Sequence, residues 1–384
     1  MLNVGIVGTG NISAAHLRSY QQFTDRCRVT ALCDIEPDKA EARRTEFGLP
    51  DAQVYDDVEK MLAAQQFDVV SVTTPPSAHA PVAIAALRAG ANVLVEKPMA
   101  PSLEECDAMI AAAEAAGKTL GAVAQNRFRD DMATLKAAVD SGLLGDISHV
   151  KVDSLWSRAV SYYDLWWRGT WESEGGGCTL NHAIHHLDLT LWLLGRPKAV
   201  TAVLANTKHD NAEVEDLSVA ILQYERALAE VTSSTVHHGE EQSIVVQGQL
   251  ARVSQPWKVI ADTHHASGFI SGSDEERVAQ LEAVAAGHVA LEHTGHPGQI
   301  ADFLDAVANG RQPAITGADG RNSVELVTAI YESGIEHRTV EFPLPADDPY
   351  YRSGTLTARA PHFYEKSNSV RSLDGATTVG SAGS

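Results

Sequence analysis

Long apolar runs are missing from this sequence, and so are paired cysteines. No apolar stretch is long enough to cross a bilayer, and no basic flank followed by an apolar core opens the chain, so neither a membrane span nor a secretory leader is expected. The four cysteines (Cys27, Cys33, Cys106, Cys178) lie far apart without a Cys-x-x-Cys pair. That spacing argues against a disulfide framework and a structural zinc site, and suits a reducing compartment. A cytoplasmic location is the expectation. Basic residues are also scarce: 30 Lys and Arg stand against 50 Asp and Glu, a formal net charge of -20. A surface so acidic repels phosphate backbones and anionic lipid, so neither nucleic acid nor a membrane is an expected partner.

What is present is a globular composition, 44% hydrophobic and 21% charged, over 384 residues, too many for one ordinary core. In the first third, short runs rich in Val, Ile and Leu (Leu2–Val7, Val29–Cys33, Asp68–Thr73, Asn92–Val95, Thr119–Ala124) alternate with amphipathic stretches (Glu36–Glu46, Ala78–Arg88, Leu103–Ala116). That rhythm predicts a parallel sheet with helices on both faces. After Asn126 the rhythm changes. Asp130–Val139 reads as a helix closed by Ser141 and Gly142, Ile147–Trp156 as a strand, and Ala199–Arg252 as several strands joined by turns, among them Asp216–Tyr224, Ala227–Val236 and Ser243–Val246. Gly298–Asn309 and Arg321–Tyr331 read as late helices. The expected fold class is α/β, with domains at 1–125 and 126–345 and a tail at 346–384 that wraps a surface or frays. The irregular region Gln255–Glu292 is expected to edge the pocket.

Gly5-Ile6-Val7-Gly8-Thr9-Gly10-Asn11-Ile12-Ser13 follows the first strand and opens a helix. Gly8 permits a sharp turn, Gly10 lets a pyrophosphate approach the backbone, and the helix start around Asn11 and Ile12 offers unpaired N–H groups to an anion. Ser13 replaces the third glycine of this pattern, and a glycine-rich turn can also be only a turn. Asp34, ending the second strand, strengthens the nucleotide reading. A carboxylate there accepts hydrogen bonds from ribose hydroxyls and repels a 2′-phosphate, and Ile35 and Glu36 add no cation, so NAD is expected rather than NADP.

Two segments carry candidate catalytic groups. Glu96-Lys97-Pro98 follows the strand Asn92–Val95, where doubly wound sheets place ligands, and Pro98 keeps Lys97 out of helical geometry. A lysine there can stabilise an alkoxide, although a solvated surface lysine has the same sequence. In Gly175-Gly176-Gly177-Cys178-Thr179-Leu180-Asn181-His182-Ala183-Ile184-His185-His186-Leu187-Asp188, the glycine triplet gives close backbone access and a helix is expected to follow. Asn181, His185 and Asp188 are then four and three residues apart on one face. His185 is the natural base, against the alternative of a satisfied core histidine. His182 and His186 have metal-ligand spacing but no third ligand, and no metal is expected.

These segments together resemble the Gfo/Idh/MocA oxidoreductases, through GIVGTGNIS from Gly5, TTPPSAHA from Thr73, VLVEKPMA from Val93, QNRF from Gln125, WWRGTW from Trp166, the glycine-triplet segment from Gly175, and GHPGQIADFLDAVANGRQP from Gly295. The resemblance implies an N-terminal Rossmann domain and a C-terminal α/β domain with an open, mostly antiparallel sheet that often mediates dimers or tetramers. It implies that Lys97 and His185 are catalytic, with Asn181 where relatives often have Asp. It further implies that Thr73, Thr74, Pro75, His79 and Gln125 line the cofactor, with Glu96 near the nicotinamide ribose. Trp167 and Arg168 would close over nicotinamide and substrate, and Tyr163 would meet the substrate. The aromatic stretch Tyr162–Trp171 is similar to the sugar dehydrogenases of the family, and aromatic faces suit the C–H faces of a pyranose. The expected reaction is NAD-dependent oxidation of a hydroxyl of a sugar, glycoside or polyol, with His185 as base, Lys97 stabilising the alkoxide and Asn181 orienting His185. Two alternatives stand beside it. One is a redox-neutral glycosidase or epimerase working through a keto sugar. The other is a non-catalytic sugar or NAD sensor.

Overall fold

The computed structural model describes residues 1–370, so the end of the expected tail, 371–384, lies outside the described residues. Six parallel strands form the first sheet: β1 (Leu2–Val7), β2 (Cys27–Cys33), β3 (Gln53–Tyr55), β4 (Val69–Val72), β5 (Asn92–Val95) and β6 (Leu120–Ala122). Helices α1 (Ser13–Tyr20), α2 (Pro37–Glu46), α3 (Val58–Ala64), α4 (His79–Arg88) and α5 (Leu103–Ala116) connect them. The strand order is β3-β2-β1-β4-β5-β6. The direction of winding reverses between β1 and β4, which opens a crevice at the carboxyl edge of the sheet. Gly8, Thr73 and Lys97 follow β1, β4 and β5 at that edge.

The apolar runs become strands because both faces of this sheet are covered: Val69, Val70 and Val72 are fully buried, as are Val93, Leu94 and Val95. Helix α5 starts where the Ser102 hydroxyl accepts the Glu105 N–H at 3.3 Å and stops at Gly117, whose φ of +61° is left-handed. Strand β3 was not expected. It has three residues and only partial burial, too short for a periodic signal.

The second sheet has the order β13-β12-β11-β7-β10-β9-β8-β16. Its members are β7 (Ile147–Leu155), β8 (Ala199–Ala205), β9 (Leu217–Gln223), β10 (Leu228–Ser234), β11 (Gln242–Gly248), β12 (Arg252–Gln255), β13 (Lys258–Ile260) and β16 (Val340–Glu341). All pairings are antiparallel except β7 with β10. Burial alternates along β9, with Ser218, Ala220 and Leu222 inward. Helices α6 (Asp130–Asp140), α7 (Ile184–Leu194), α8 (Glu275–Ala286), α9 (Gly295–Asn309) and α10 (Gly317–Glu336) complete the main layers, and α10 packs on β8 and α7. The outer face leaves Val203 at 66% and Leu228 at 51% exposure. No helix among the described residues is long and apolar enough to cross a membrane.

Two features depart from the linear reading. Helix α9 returns to the first sheet, where Ile300, Phe303 and Leu304 share a core with Val4, Ile6 and Leu17. Gln299 fastens it there, accepting the Ala124 N–H at 3.0 Å and donating to the Ala122 carbonyl at 2.7 Å. The region 255–292 contributes β13, an exposed hairpin of β14 (Asp262–His264) and β15 (Ile270–Ser273), and α8 against α6. Its end is held at the start of α6, where His288 Nε2 lies 2.8 Å from Asp130.

A buried ion pair ties the layers together. Arg127, just after β6, donates to both carboxylate oxygens of Asp188 on α7 at 2.7 and 2.8 Å, and the Ser323 hydroxyl of α10 donates to the same group at 3.1 Å. Removing Asp188 leaves buried Arg127 only its 3.1 Å contact to the partly exposed Asp319. Asp188→Ala is therefore expected to lose about 3 kcal/mol of stability, the low end for a broken buried pair, measured by urea unfolding.

Candidate active site

The site is assembled from the turns at the carboxyl edge of the first sheet. Gly8 has a φ of +91°, and a Cβ there would lie 2.6 Å from the Thr73 and Thr74 backbone, so only glycine lets the two turns meet. Next to Gly10, by contrast, a Cβ would find nothing within 4 Å, which leaves the turn open to a ligand. Ser13 closes the turn that the missing third glycine would otherwise occupy, its hydroxyl donating to the Gly10 carbonyl at 2.6 Å. Asn11 is exposed and Ile12 half-buried at the start of α1. Asp34 accepts the Thr9 N–H and hydroxyl at 2.7 and 2.8 Å and the Glu36 N–H at 3.0 Å, which pins the carboxylate against the glycine turn. One cation not counted from the sequence lies nearby: Arg43 reaches the Thr9 and Gly10 carbonyls at 3.3 Å from α2 while pairing with Glu46.

The turns after β4 and β5 are braced together. The Thr73 hydroxyl turns back to the Gly8 carbonyl at 2.6 Å, and buried His79 spans the Thr74 and Pro98 carbonyls at 2.8 and 2.9 Å. Both residues thus shape the crevice by holding backbone. The Thr74 hydroxyl and the Gln125 Oε1 are buried with no partner, so they are left for a ligand, and Pro75 is exposed at the rim. Glu96 is buried, accepts the Lys97 N–H at 3.0 Å, and faces His16 and His296 at 3.0 and 3.4 Å. Lys97 donates its ammonium to the Asn181 carbonyl at 3.1 Å. Burial lowers the Lys97 pKa, the Glu96 charge raises it, and Arg168 lowers it again.

The segment after the glycine triplet begins as a π-helix, Thr179–Ala183, before α7. The wider turn breaks the expected shared face. The Asn181 amide donates back to the Gly176 carbonyl at 2.8 Å and Asp188 is engaged by Arg127, so His185 is oriented by neither. His185 nevertheless lines one cavity with Lys97, Ala122, Ala124 and Ile184. Burial holds its pKa well below the ordinary histidine value, and the Lys97 charge adds to this. The triplet itself serves packing. A Cβ on Gly177 would overlap the Glu215 carbonyl and one on Gly176 the Tyr331 hydroxyl. Buried Glu215, its pKa pushed up to about 7 by burial, accepts the Gly177 and Thr179 N–H groups and the Tyr331 hydroxyl, each at 3.0 Å.

The aromatic stretch holds a cation close enough to act on Lys97. The Arg168 guanidinium lies between the rings of Tyr162 and Trp167, 4.1 Å from each centroid, and pairs with buried Glu174 at 2.8 Å. Its Nε is buried without a partner. Tyr163, expected at the substrate, is a core residue, 1% exposed and packed edge-on against His209 at 4.8 Å. Its neighbour Tyr162 is half-buried, against His182. Sequence reasoning gave no role to Glu174, His16 or His296. His296 stands within a quoted motif and His16 three residues beyond another, but nothing in the linear pattern pairs them.

Two family models match the sequence: the oxidoreductase family with an NAD-binding Rossmann fold over residues 2–123, and the C-terminal domain of the same family over residues 132–254. The chain belongs to the Gfo/Idh/MocA family. Among relatives, it is 26% identical to a scyllo-inositol 2-dehydrogenase (NADP(+)) of Bacillus subtilis, over 88% of this chain and 95% of that one. It is 33% identical to a D-glucoside 3-dehydrogenase of Escherichia coli, a match that covers 54% of this chain and 57% of the relative. The WlbA dehydrogenase of Chromobacterium violaceum, solved with NADH and UDP-GlcNAcA, is 30% identical, with a TM-score of 0.77 over 90% of this chain and 96% of that one. The crevice fits NAD on its own geometry, through the open Gly10 turn and the unpartnered Thr74 and Gln125 oxygens. Gly8→Ala is accordingly expected to weaken NADH binding at least about tenfold, roughly 1.4 kcal/mol, in a fluorescence titration.

Proposed function

We propose that the protein is an NAD-dependent dehydrogenase that oxidises a hydroxyl of a sugar, glycoside or polyol in the cytoplasm. The observation that carries this is the convergence of Lys97 and His185 at the carboxyl edge of the nucleotide-binding sheet, where both border one void of about 20 Å³. Bound NAD supplies the hydride acceptor. Residues 1–125 hold it, with Gly8, Gly10, Asn11 and Ile12 at the pyrophosphate, Asp34 at the adenosine ribose, and Thr74, Pro75, Glu96, Gln125 and Trp167 along the remainder. Thr73 and His79 shape that wall. Asp34 favours NAD over NADP because a second anion beside its carboxylate is repelled. Residues 126–345 supply the substrate side.

His185 takes the hydroxyl proton. Its lowered pKa keeps the ring neutral and able to accept that proton at neutral pH. Lys97 stabilises the oxygen as negative charge develops on it. Asn181 acts through its backbone carbonyl, which fixes the Lys97 ammonium, and through its amide, which holds the loop. Tyr162, Trp167 and Arg168 offer a ring face and a rigid donor edge to the sugar. The named relatives are dehydrogenases, which favours net oxidation over the redox-neutral alternative. The exposed outer face of the second sheet supports a homodimer or homotetramer.

The test is NADH formation with NAD and a panel of free sugars, glycosides, nucleotide sugars and inositols. One class is expected to react. Lys97→Ala should lower kcat by about 10²–10³-fold with NADH affinity within about twofold of wild type, since the ammonium is assigned to the reacting oxygen. NADH formation by that variant at the normal rate would refute the assignment. With the reactive sugar, kcat/KM is expected to be bell-shaped. Its acid limb should lie below 6.5, where His185 protonates, and its basic limb below 10.5, where Lys97 loses its proton.

A further inference from the structure

Next to Lys97 in the chain, three side chains from distant parts of the sequence converge at Glu96. His16 of α1, Glu96 at the end of β5 and His296 of α9 bring three ligand-capable atoms within 4.8 Å of one another. Glu96 Oε1 is 3.0 Å from His16 Nε2 and 3.4 Å from His296 Nε2, and Glu96 Oε2 accepts the Lys97 N–H at 3.0 Å. The His16 and His296 rings lie 5.6 Å apart. His16 is oriented without any cation. Tyr20 and Ser71 hydroxyls meet at 2.7 Å, and Ser71 lies 3.3 Å from His16 Nδ1. If Ser71 donates to Nδ1, the remaining ring proton sits on Nε2 and points at Glu96. All of these groups are buried except His296, whose side chain is 15% exposed.

A carboxylate in such a place has no water to solvate it. Burial on its own raises the Glu96 pKa, and the His16 hydrogen bond together with the nearby His296 ring outweighs burial and holds it well below the ordinary range. The fixed anion lies one residue from Lys97. We propose that His16, Glu96 and His296 form a positioning cluster that fixes a negative charge beside Lys97 and so sets the charge state in which that lysine works, with His296 bringing the contribution of the second half of the chain.

The surroundings support this division of labour. Glu96 and Glu174 favour the charged form of Lys97, and Arg168 opposes it. His182 and His185 face Lys97 from the glycine-triplet segment, both held neutral by burial, and His79 of α4 faces Glu96. Glu174 is already paired with Arg168 at 2.8 Å, and burial raises its own pKa. Glu96 is then the anion most available to Lys97.

The inference rests on the proposed role of Lys97, so its test has a readout that does not require turnover. In the full-length protein, the pH dependence of Lys97 acetylation by acetic anhydride, followed by mass spectrometry of its peptide, reports the lysine directly. His296→Leu is expected to move the Lys97 ionisation to lower pH, at least about threefold in its ionisation constant. His296→Gln, which keeps an N–H donor, should restore it. Glu96→Gln should move it further, and the basic limb of kcat/KM should follow in each folded variant. For the two His296 variants, NADH affinity within about twofold of wild type would separate the effect from damage to the nucleotide crevice. An ionisation unmoved in folded His296→Leu overturns the proposal. So does equal disturbance by His296→Leu and His296→Gln, or zinc bound stoichiometrically and lost in His296→Leu, which would make the cluster a metal centre. If Lys97 titrates as expected while no sugar is oxidised, the cluster stands and the dehydrogenase reading fails.

Discussion

The Lys97 side chain is half-buried, and a charged lysine persists there only if carbonyls and carboxylates replace the water it has lost. The Asn181 carbonyl supplies one hydrogen bond at 3.1 Å and Glu96 supplies the adjacent charge. Each replacement comes from a different layer. Glu96 is fixed by the end of β5, Asn181 by a π-helical turn that α7 continues, and the turn itself by Glu215 and Tyr331 beneath the glycine triplet. The arrangement explains why glycines are needed at positions 176 and 177. Side chains at Gly176 and Gly177 would push the turn off its support and carry the Asn181 carbonyl away from the lysine.

The same logic sets the chemistry. Burial depresses both Lys97 and His185, and their proximity depresses His185 further. A neutral imidazole and a compensated ammonium on one cavity are the pair that removal of a hydroxyl proton requires. The Rossmann half contributes Lys97 and the nucleotide crevice, and the second half contributes His185 and the aromatic wall. The Arg127–Asp188 ion pair and the return of α9 to the first sheet hold those halves in register.

Much of this was legible in the sequence, for physical reasons that can be named. Strands of a parallel sheet buried on both faces show as unbroken apolar runs, and β1, β4 and β5 did so. The three-residue β3 left no period to read. Gly8 and Asp34 were legible because their roles are backbone geometry and a strand-end carboxylate. Asn181 was misplaced because spacings of four and three presuppose an α-helix, and a π-turn intervenes. Tyr163 and Tyr162 differ by one position in an irregular segment, where no periodicity says which ring faces inward. His16 and His296 were invisible as a pair. Their contact depends on α9 crossing back to α1, a long-range packing choice made by Ile300, Phe303 and Leu304.

The central claim is that Lys97 and His185 act on one substrate oxygen as a single unit. A double-mutant cycle in kcat for NADH formation tests it most directly, using Lys97→Ala, His185→Ala and the double variant with the sugar the enzyme oxidises. Residues that act as a unit are non-additive, so the double variant is expected to be no slower than the worse single variant by more than about threefold. Losses that multiply would contradict the account, because they would mean that the two residues serve separate steps or separate groups.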